Sequence, residues 1–285
     1  MARMDCTIRS MRGEEVETLA IELAAREGWN PGLHDAANFF AADLGGFLIA
    51  EVRGQPVGCI SAVSYAGHFG FIGLYIVVPA WRGHGIGRRL WDAGMVRLAG
   101  HTVGLDGVPA QQAYYQRNGF ELAWQNARFA GVAQHGAGAE PTAIVPLGSV
   151  DFTLLCGDDR RVFPAPREAF LRRWIDQPDA IGLAWQVHGC IEGGGLIRRC
   201  RQGHKIGPLV ADDPAVASAL FDALCRSVPA GDAVFLDVPL PNVEALSLAK
   251  AHRLQSVFET ARMYAGDAPA CDLQRVYGIT SFELG

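Results

Sequence analysis

The sequence predicts an α/β chain of two tandem domains, each a central mixed, partly parallel sheet with helices on both faces. Three observations lead there. The length of 285 residues suits about two domains at roughly 150 residues each. The chain also repeats itself. Ile72-Gly73 matches Ile206-Gly207, and Ala127-Arg128 matches Ala261-Arg262, both 134 residues on; Val52-Arg53-Gly54 matches Val187-His188-Gly189 at 135. Finally, the first copy reads β-α-α-β-β-β-α-β-α-β, and its closing β-α-β steps require parallel neighbours.

The elements follow in order. A short strand is expected at 5–9. Val16, Leu19, Ala20 and Leu23 recur at helical spacing, giving a helix over 14–27. Asn30-Pro31-Gly32 marks a loop at 28–35, and a second helix follows at 35–42. Residues 47–52 and 56–65 form a hairpin turned at Arg53-Gly54. Then come strand 70–77, helix 85–99, strand 101–106, helix 110–118 and strand 120–129. The stretch from Gly131 to Pro141 is rich in Gly and Ala without apolar period, so it reads as a connector. The domains are therefore 1–132 and 151–285, with a linker at 133–150. In the second copy, 163–174 reads as a helix with Phe170, Leu171 and Trp174 inward and Arg167, Arg172 and Arg173 on a solvated face.

Composition narrows the function. Hydrophobic residues make up 49% and charged residues 19%, which excludes disorder over most of the length. A net charge of −5 argues against bulk binding to nucleic acid or an anionic membrane. The seven cysteines are scattered, with no C-x-x-C, so neither a disulfide framework nor a zinc knuckle is expected. Residues 1–10 lack the apolar core of a signal peptide, and there is no run of about 18 apolar residues. A cytoplasmic protein without a metal is the expectation.

The chemistry concentrates after residue 77. Arg82-Gly83-His84-Gly85-Ile86-Gly87-Arg88-Arg89 opens an amphipathic helix. Glycines let backbone N–H groups approach a ligand, the helix N-terminus favours an anion, and the arginines add positive charge. A phosphate or pyrophosphate fits. Neither the dinucleotide pattern G-x-G-x-x-G nor the Walker pattern is present.

Arg82-x-x-Gly85-x-Gly87 resembles the acyl-CoA pyrophosphate loop of the GNAT N-acetyltransferase superfamily, Gln/Arg-x-x-Gly-x-Gly/Ala. Downstream, Tyr115-Gln116-Arg117-Asn118-Gly119-Phe120 resembles the superfamily's Tyr-x-x-x-Gly-Phe. The two motifs come in the superfamily's order, and the element order matches as well. With its second copy, the chain resembles the tandem-domain members of that superfamily.

The resemblance implies direct transfer of an acetyl group from acetyl-CoA to a primary amine of a small molecule or peptide, without an acyl-enzyme. Tyr75, Ile76 and Val77 would pair their backbone with the pantetheine arm, and Arg82, Gly83, His84, Gly85, Ile86, Gly87 and Arg88 would hold the pyrophosphate. Tyr115 takes the general-acid position. The sequence departs from the family pattern at Val108, where many members carry an Asn, and on 71–77, which hold no Asp or Glu to act as base. Asp106, His68, His101, Glu27 or a water chain remain for that role, and Asp106 also reads as a cap. Glu27, Trp29, Asn30, His34 and Asp35 cluster where the acceptor is expected. In the second copy, 214–222 has neither Gly nor Arg, Asp212 and Asp213 precede it, and Tyr115 maps to Ala249. That copy is expected to bind no cofactor, although Asn242 stands where Val108 does. Two other functions fit the residues: a non-catalytic acyl-CoA sensor, and an acyl- or aminoacyltransferase using the groove between the domains.

Overall fold

A computed structural model describes residues 5–136 and 141–285. The first half contains β1 (Cys6–Ser10), α1 (Gly13–Glu15), a π-helical stretch (Val16–Ile21), α2 (Glu22–Arg26), α3 (Asp35–Ala42), β2 (Phe47–Val52), β3 (Gln55–Tyr65), β4 (Phe69–Val77), α4 (Ile86–Arg97), β5 (Thr102–Gly107), α5 (Gln112–Arg117) and β6 (Glu121–Val132). The second contains β7 (Ile144–Pro146), α6 (Phe152–Val162), α7 (Glu168–Ile175), β8 (Ala180–Val187), β9 (Cys190–Arg199), β10 (His204–Ala211), α8 (Pro214–Arg226), β11 (Ala233–Pro239), α9 (Val243–Ala251), β12 (Gln255–Ala265) and β13 (Val276–Gly278).

The helix expected at 14–27 is a single run with a π-turn in its middle; the wider turn keeps both Val16 and Ile21 buried. Of the connector, 137–140 lie outside the described residues. Its flanks are structured: Gly131 and Val132 finish β6, and Ile144–Pro146 pair with β8. The helix expected at 163–174 begins only at Glu168. Its apolar face is inward as expected, but Arg167 is buried against Asp159 instead of solvated.

Sheet order explains where the site lies. All the described strands form one sheet, in the order β1-β2-β3-β4-β5-β12-β6-β11-β10-β9-β8-β7, with β13 beside β10. Each half thus lends its last long strand to the other: β12 pairs with β5, and β6 with β11. The β4–β5 and β10–β11 pairs are parallel and the rest antiparallel. β2 shows why both faces are apolar. Phe47 and Ile49 point to the layer holding Val16, Ala20 and Phe39, while Leu48 and Ala50 point to α4 with Ile86, Leu90 and Trp91.

The exchange is locked by two reciprocal ion pairs. Arg128 on β6 holds Asp237 on β11 through bonds of 2.6 and 2.8 Å, and Arg262 on β12 holds Asp106 on β5 through bonds of 2.7 and 2.6 Å. All four residues except Asp106 are at most 8% exposed, and the Asp106 side chain is fully covered. No helix among the described residues is long and apolar enough to cross a membrane.

Candidate active site

β4 and β5 pair only from Phe69↔Thr102 to Ile72↔Leu105. Beyond that point β4 bulges. Leu74 is left-handed (φ 46°), and the register with β3 slips between Cys59 and Ser61. β5 meanwhile follows β12, pairing Gly107 with Ala261. The strands part, and a cleft of about 500 Å³ opens between them. Backbone N–H and C=O groups on the facing edges are left for a ligand to satisfy.

One end of the cleft is the glycine turn, with Arg82, Gly83 and Gly87 on its wall beside Tyr75, Ile76 and Val77. Gly83 and Gly85 are left-handed (φ 79° and 77°). Gly87 is needed for a different reason: a Cβ there would come within 2.7 Å of the Tyr75 hydroxyl. The first α4 amide to reach a carbonyl of its own helix turn is that of Arg89, bonded to Gly85 O at 3.2 Å, so the amides before it have no helical acceptor. The arginine side chains are already engaged. Arg82 bonds Glu27 and Val77 O, Arg88 pairs with Asp92, and Arg89 bonds Cys6 O. The turn's backbone amides are the groups left without a partner. His84 bonds the Arg82 carbonyl and, with Gly85, Ile86 and Arg88, belongs to the turn without lining the cleft.

Tyr115 lines the same cleft. Its ring packs on Trp91, Tyr114 and Phe120, and only 7% of the residue is exposed. Gly107 makes room for it, since a Cβ there would run into the Tyr115 ring, with Cδ2 at 2.8 Å. Burial, and then the neighbouring Tyr114, pushes the phenol up to about 12, so it carries its proton at neutral pH. Asp106 also lines the cleft, but its carboxylate is committed to Arg262 and accepts a further bond from Asn126 at 2.8 Å. Burial raises its pKa from the ordinary carboxylate value, with Arg262 acting in the opposite direction. His68 and His101 sit where β4 and β5 start, at the end of the strands away from the cleft; His101 bonds Ser64 Oγ.

The acceptor set divides. Glu27 and Trp29 line the cleft. Asn30, His34 and Asp35 do not, because each is used to join the two halves. Asn30 bonds the Gln202 backbone in both directions, and His34 meets Asp179 at 3.0 Å. Asp35 is 1% exposed, pairs with the equally buried Arg198 and accepts the Gly32 amide. Arg198 holds this carboxyl below its ordinary range against the opposing effect of burial.

The first copy alone does not supply the rest of the wall. Phe258, Thr260, Phe282 and Glu283 come from β12 and the tail of the second copy, and Arg128 reaches the cleft from β6 of the first. One signal bears on Arg128: Ala-Arg recurs at 127 and 261 and Leu-Asp at 105 and 236, which are the two halves of the reciprocal ion pairs. Nothing in the local pattern singles out Glu283.

The equivalent place in the second half is closed. β10 parts from β11 after Ile206↔Leu236, and β13 fills the gap, pairing Leu209 with Gly278. Asn242 donates to the carbonyls of Gln274 and Val276, each at 2.9 Å, and so holds the tail there. Asp213 caps α8 by accepting the Ala215 amide, and Asp212 bonds Arg161 and Arg275. A carboxylate therefore stands where an anion would bind.

Comparison with known proteins agrees with this architecture. Models described as acetyltransferase (GNAT) domain match residues 43–122 and 156–278. A holothin acyltransferase from Pseudoalteromonas sp. (strain SANK 73390) is 30% identical over 264 residues, covering 93% of this chain and 90% of that protein. The crystal structure of a putative acetyltransferase from Pyrococcus horikoshii superposes with a TM-score of 0.82 at 22% identity, over 100% of this chain and 98% of that one. A tandem GNAT protein from the clavulanic acid biosynthesis pathway gives 0.64 at 12% identity, over 93% and 100%. Both structures speak to fold alone.

Proposed function

Because the chain belongs to the GNAT acetyltransferase family, with one such domain in each half, we propose that it transfers an acetyl group from acetyl-CoA directly to a primary amine of a small molecule or peptide. The observation that carries this is the β4–β5 cleft, which joins the open amides of the glycine turn to a protonated, buried phenol. The amides of residues 83–88 hold the pyrophosphate, and the backbone of Tyr75, Ile76 and Val77 takes the pantetheine. An N–H on this edge polarises the thioester carbonyl as its oxygen gains charge. Tyr115 gives its proton to the departing thiolate. Glu27 and Trp29 flank the acceptor.

On this proposal residues 1–132 are the catalytic half, and the half after the 133–150 connector supports it and binds no cofactor. Holothin, named in the relative, is the first acceptor to assay. Calorimetry should give a single acetyl-CoA site, and an amine panel that includes holothin should release free thiol. Gly85→Glu adds a carboxylate to the anion turn at a left-handed position, so acetyl-CoA binding should vanish while the chain remains folded. Unchanged affinity in that variant refutes the site. Binding without thiol release for any acceptor supports an acyl-CoA sensor instead.

A further inference from the structure

β4 offers no acid to take a proton from the acceptor, yet a carboxylate reaches the same strand from the far end of the chain. After β13 the tail crosses from the second half to the first. The Ile279 amide bonds Asp237 O at 2.8 Å, and Arg167 holds Thr280 Oγ1 and Gly285 O at 3.0 and 3.1 Å. Tyr65 donates to Leu284 O at 3.1 Å, and the Leu284 amide bonds Ser281 Oγ at 3.2 Å. The tail is thus anchored on both sides of residue 283.

Gly73 is what admits it. A Cβ on Gly73 would collide with the Glu283 carbonyl oxygen and lie 2.9 and 3.0 Å from Glu283 C and Cα. The tail backbone occupies the space that a side chain on the bulged strand would otherwise fill. The side chain brought there lines the cleft, is 5% exposed, and has no hydrogen-bond partner for Oε2. A buried carboxylate oxygen without a donor is costly to keep unless something arrives to donate to it.

The other two acids on the wall are engaged, Glu27 with Arg82 and Asp106 with Arg262. Three cations, Arg128, Arg198 and Lys205, sense the Glu283 charge. Arg128 and Arg198 already hold Asp237 and Asp35, and burial lowers the pKa of Lys205. Among the acids that line the cleft, Glu283 is therefore the one that keeps a carboxylate oxygen without a partner.

We propose that Glu283 is the general base of the transfer, a role that rests on reading the cleft as the acyl-CoA site. Oε2 takes one proton from the acceptor ammonium and passes it to solvent. The freed amine attacks the thioester carbon, the C–N bond forms and the C–S bond breaks. The thiolate takes a proton from Tyr115, and the second proton lost from nitrogen restores the phenol. The amide, the thiol and one released proton balance the reaction.

The test compares wild type, Glu283→Gln and Glu283→Asp in the full chain, with acetyl-CoA and holothin, following thiol release against pH and acetyl-CoA affinity by calorimetry. At neutral pH Glu283→Gln should lose about 10²–10⁴ in kcat. The deficit should shrink as pH rises and hydroxide replaces the base, with acetyl-CoA affinity unchanged. A wild-type rate in Glu283→Gln overturns the role of Glu283. If that variant does not fold, Glu283→Asp decides: a carboxylate drawn back by one methylene should be slow at neutral pH and recover at high pH, and a wild-type profile overturns the proposal. Failure of the wild-type chain to bind acetyl-CoA is a different result, which removes the reading of the cleft itself.

Discussion

Gly73→Ala adds one methyl group at the point where the tail crosses β4. The new carbon meets only backbone: the Glu283 carbonyl oxygen directly, its carbon at 2.9 Å and its Cα at 3.0 Å. Ordinary contact starts near 3.4 Å, so the carbonyl carbon has to withdraw by about 0.5 Å and the oxygen by more. No rotamer change relieves backbone. Withdrawal strains the anchors from Tyr65 to Leu284 O and from Arg167 to Gly285 O. Overpacking of this kind costs about 1–3 kcal/mol, and a loss of that size lowers Tm by roughly 2–4 °C per kcal/mol in a chain of this size class. Because Glu283 moves while the glycine turn does not, kcat should fall with acetyl-CoA affinity retained. Thermal unfolding, calorimetry and thiol release read these three quantities. Gly148→Ala is the matched control, since its Cβ would meet nothing within 4 Å. If Gly73→Ala keeps both the wild-type Tm and the wild-type kcat, the tail does not pack on β4 as described.

The remaining expectations concern the acid, the strand exchange and stoichiometry. Tyr115→Phe keeps the ring in its packing and removes the proton, so kcat should drop by about 10²–10⁴ with little change in Tm, while Tyr114→Phe should be nearly silent. The Tyr115 pKa is raised from 10 to about 12, so any stability tied to its neutral form is full below pH 10 and lost as pH rises through 12; activity below pH 10 should show no limb from this group. Arg128→Met leaves Asp237 buried and unpaired and should cost about 3–5 kcal/mol in denaturant unfolding, whereas Arg128→Met with Asp237→Leu should recover most of that loss. A titration with acetyl-CoA should saturate at one per chain; two equivalent sites would show that β13 and Asp213 do not close the second half.

How much of this was legible depended on how local the cause was. Helical spacing from Val16 to Leu23, alternation in residues 47–52 and the Arg53-Gly54 turn act within a few residues, and their elements formed within a residue or two of the expected places. The glycine turn and Tyr115 were legible for the same reason. The partners of Asp106 and Asp35 were not, because a cap and a buried ion pair look alike until the chain 156 or 163 residues away is placed beside them. Arg167 reads as surface on a helical wheel, but the helix begins one residue later and the side chain turns inward to hold Gly285. Periodicity is equally silent on which strands a strand will pair with, so the alternation along β6 and β12 does not show their exchange; only the repeated Ala-Arg at 127 and 261 hints at it.

That exchange also sets an order of events during synthesis. When β5 leaves the ribosome its neighbour does not yet exist, and roughly 150 residues must still be made before β12 arrives, a wait of about 8–30 s at typical elongation rates. Meanwhile β6 is a donor strand with no acceptor, and the growing first half carries an open sheet edge beside its future cleft. The wall of the cleft is completed only when Phe282 and Glu283 are in place. A chain that stops short of that point has its glycine turn but lacks part of the cleft wall.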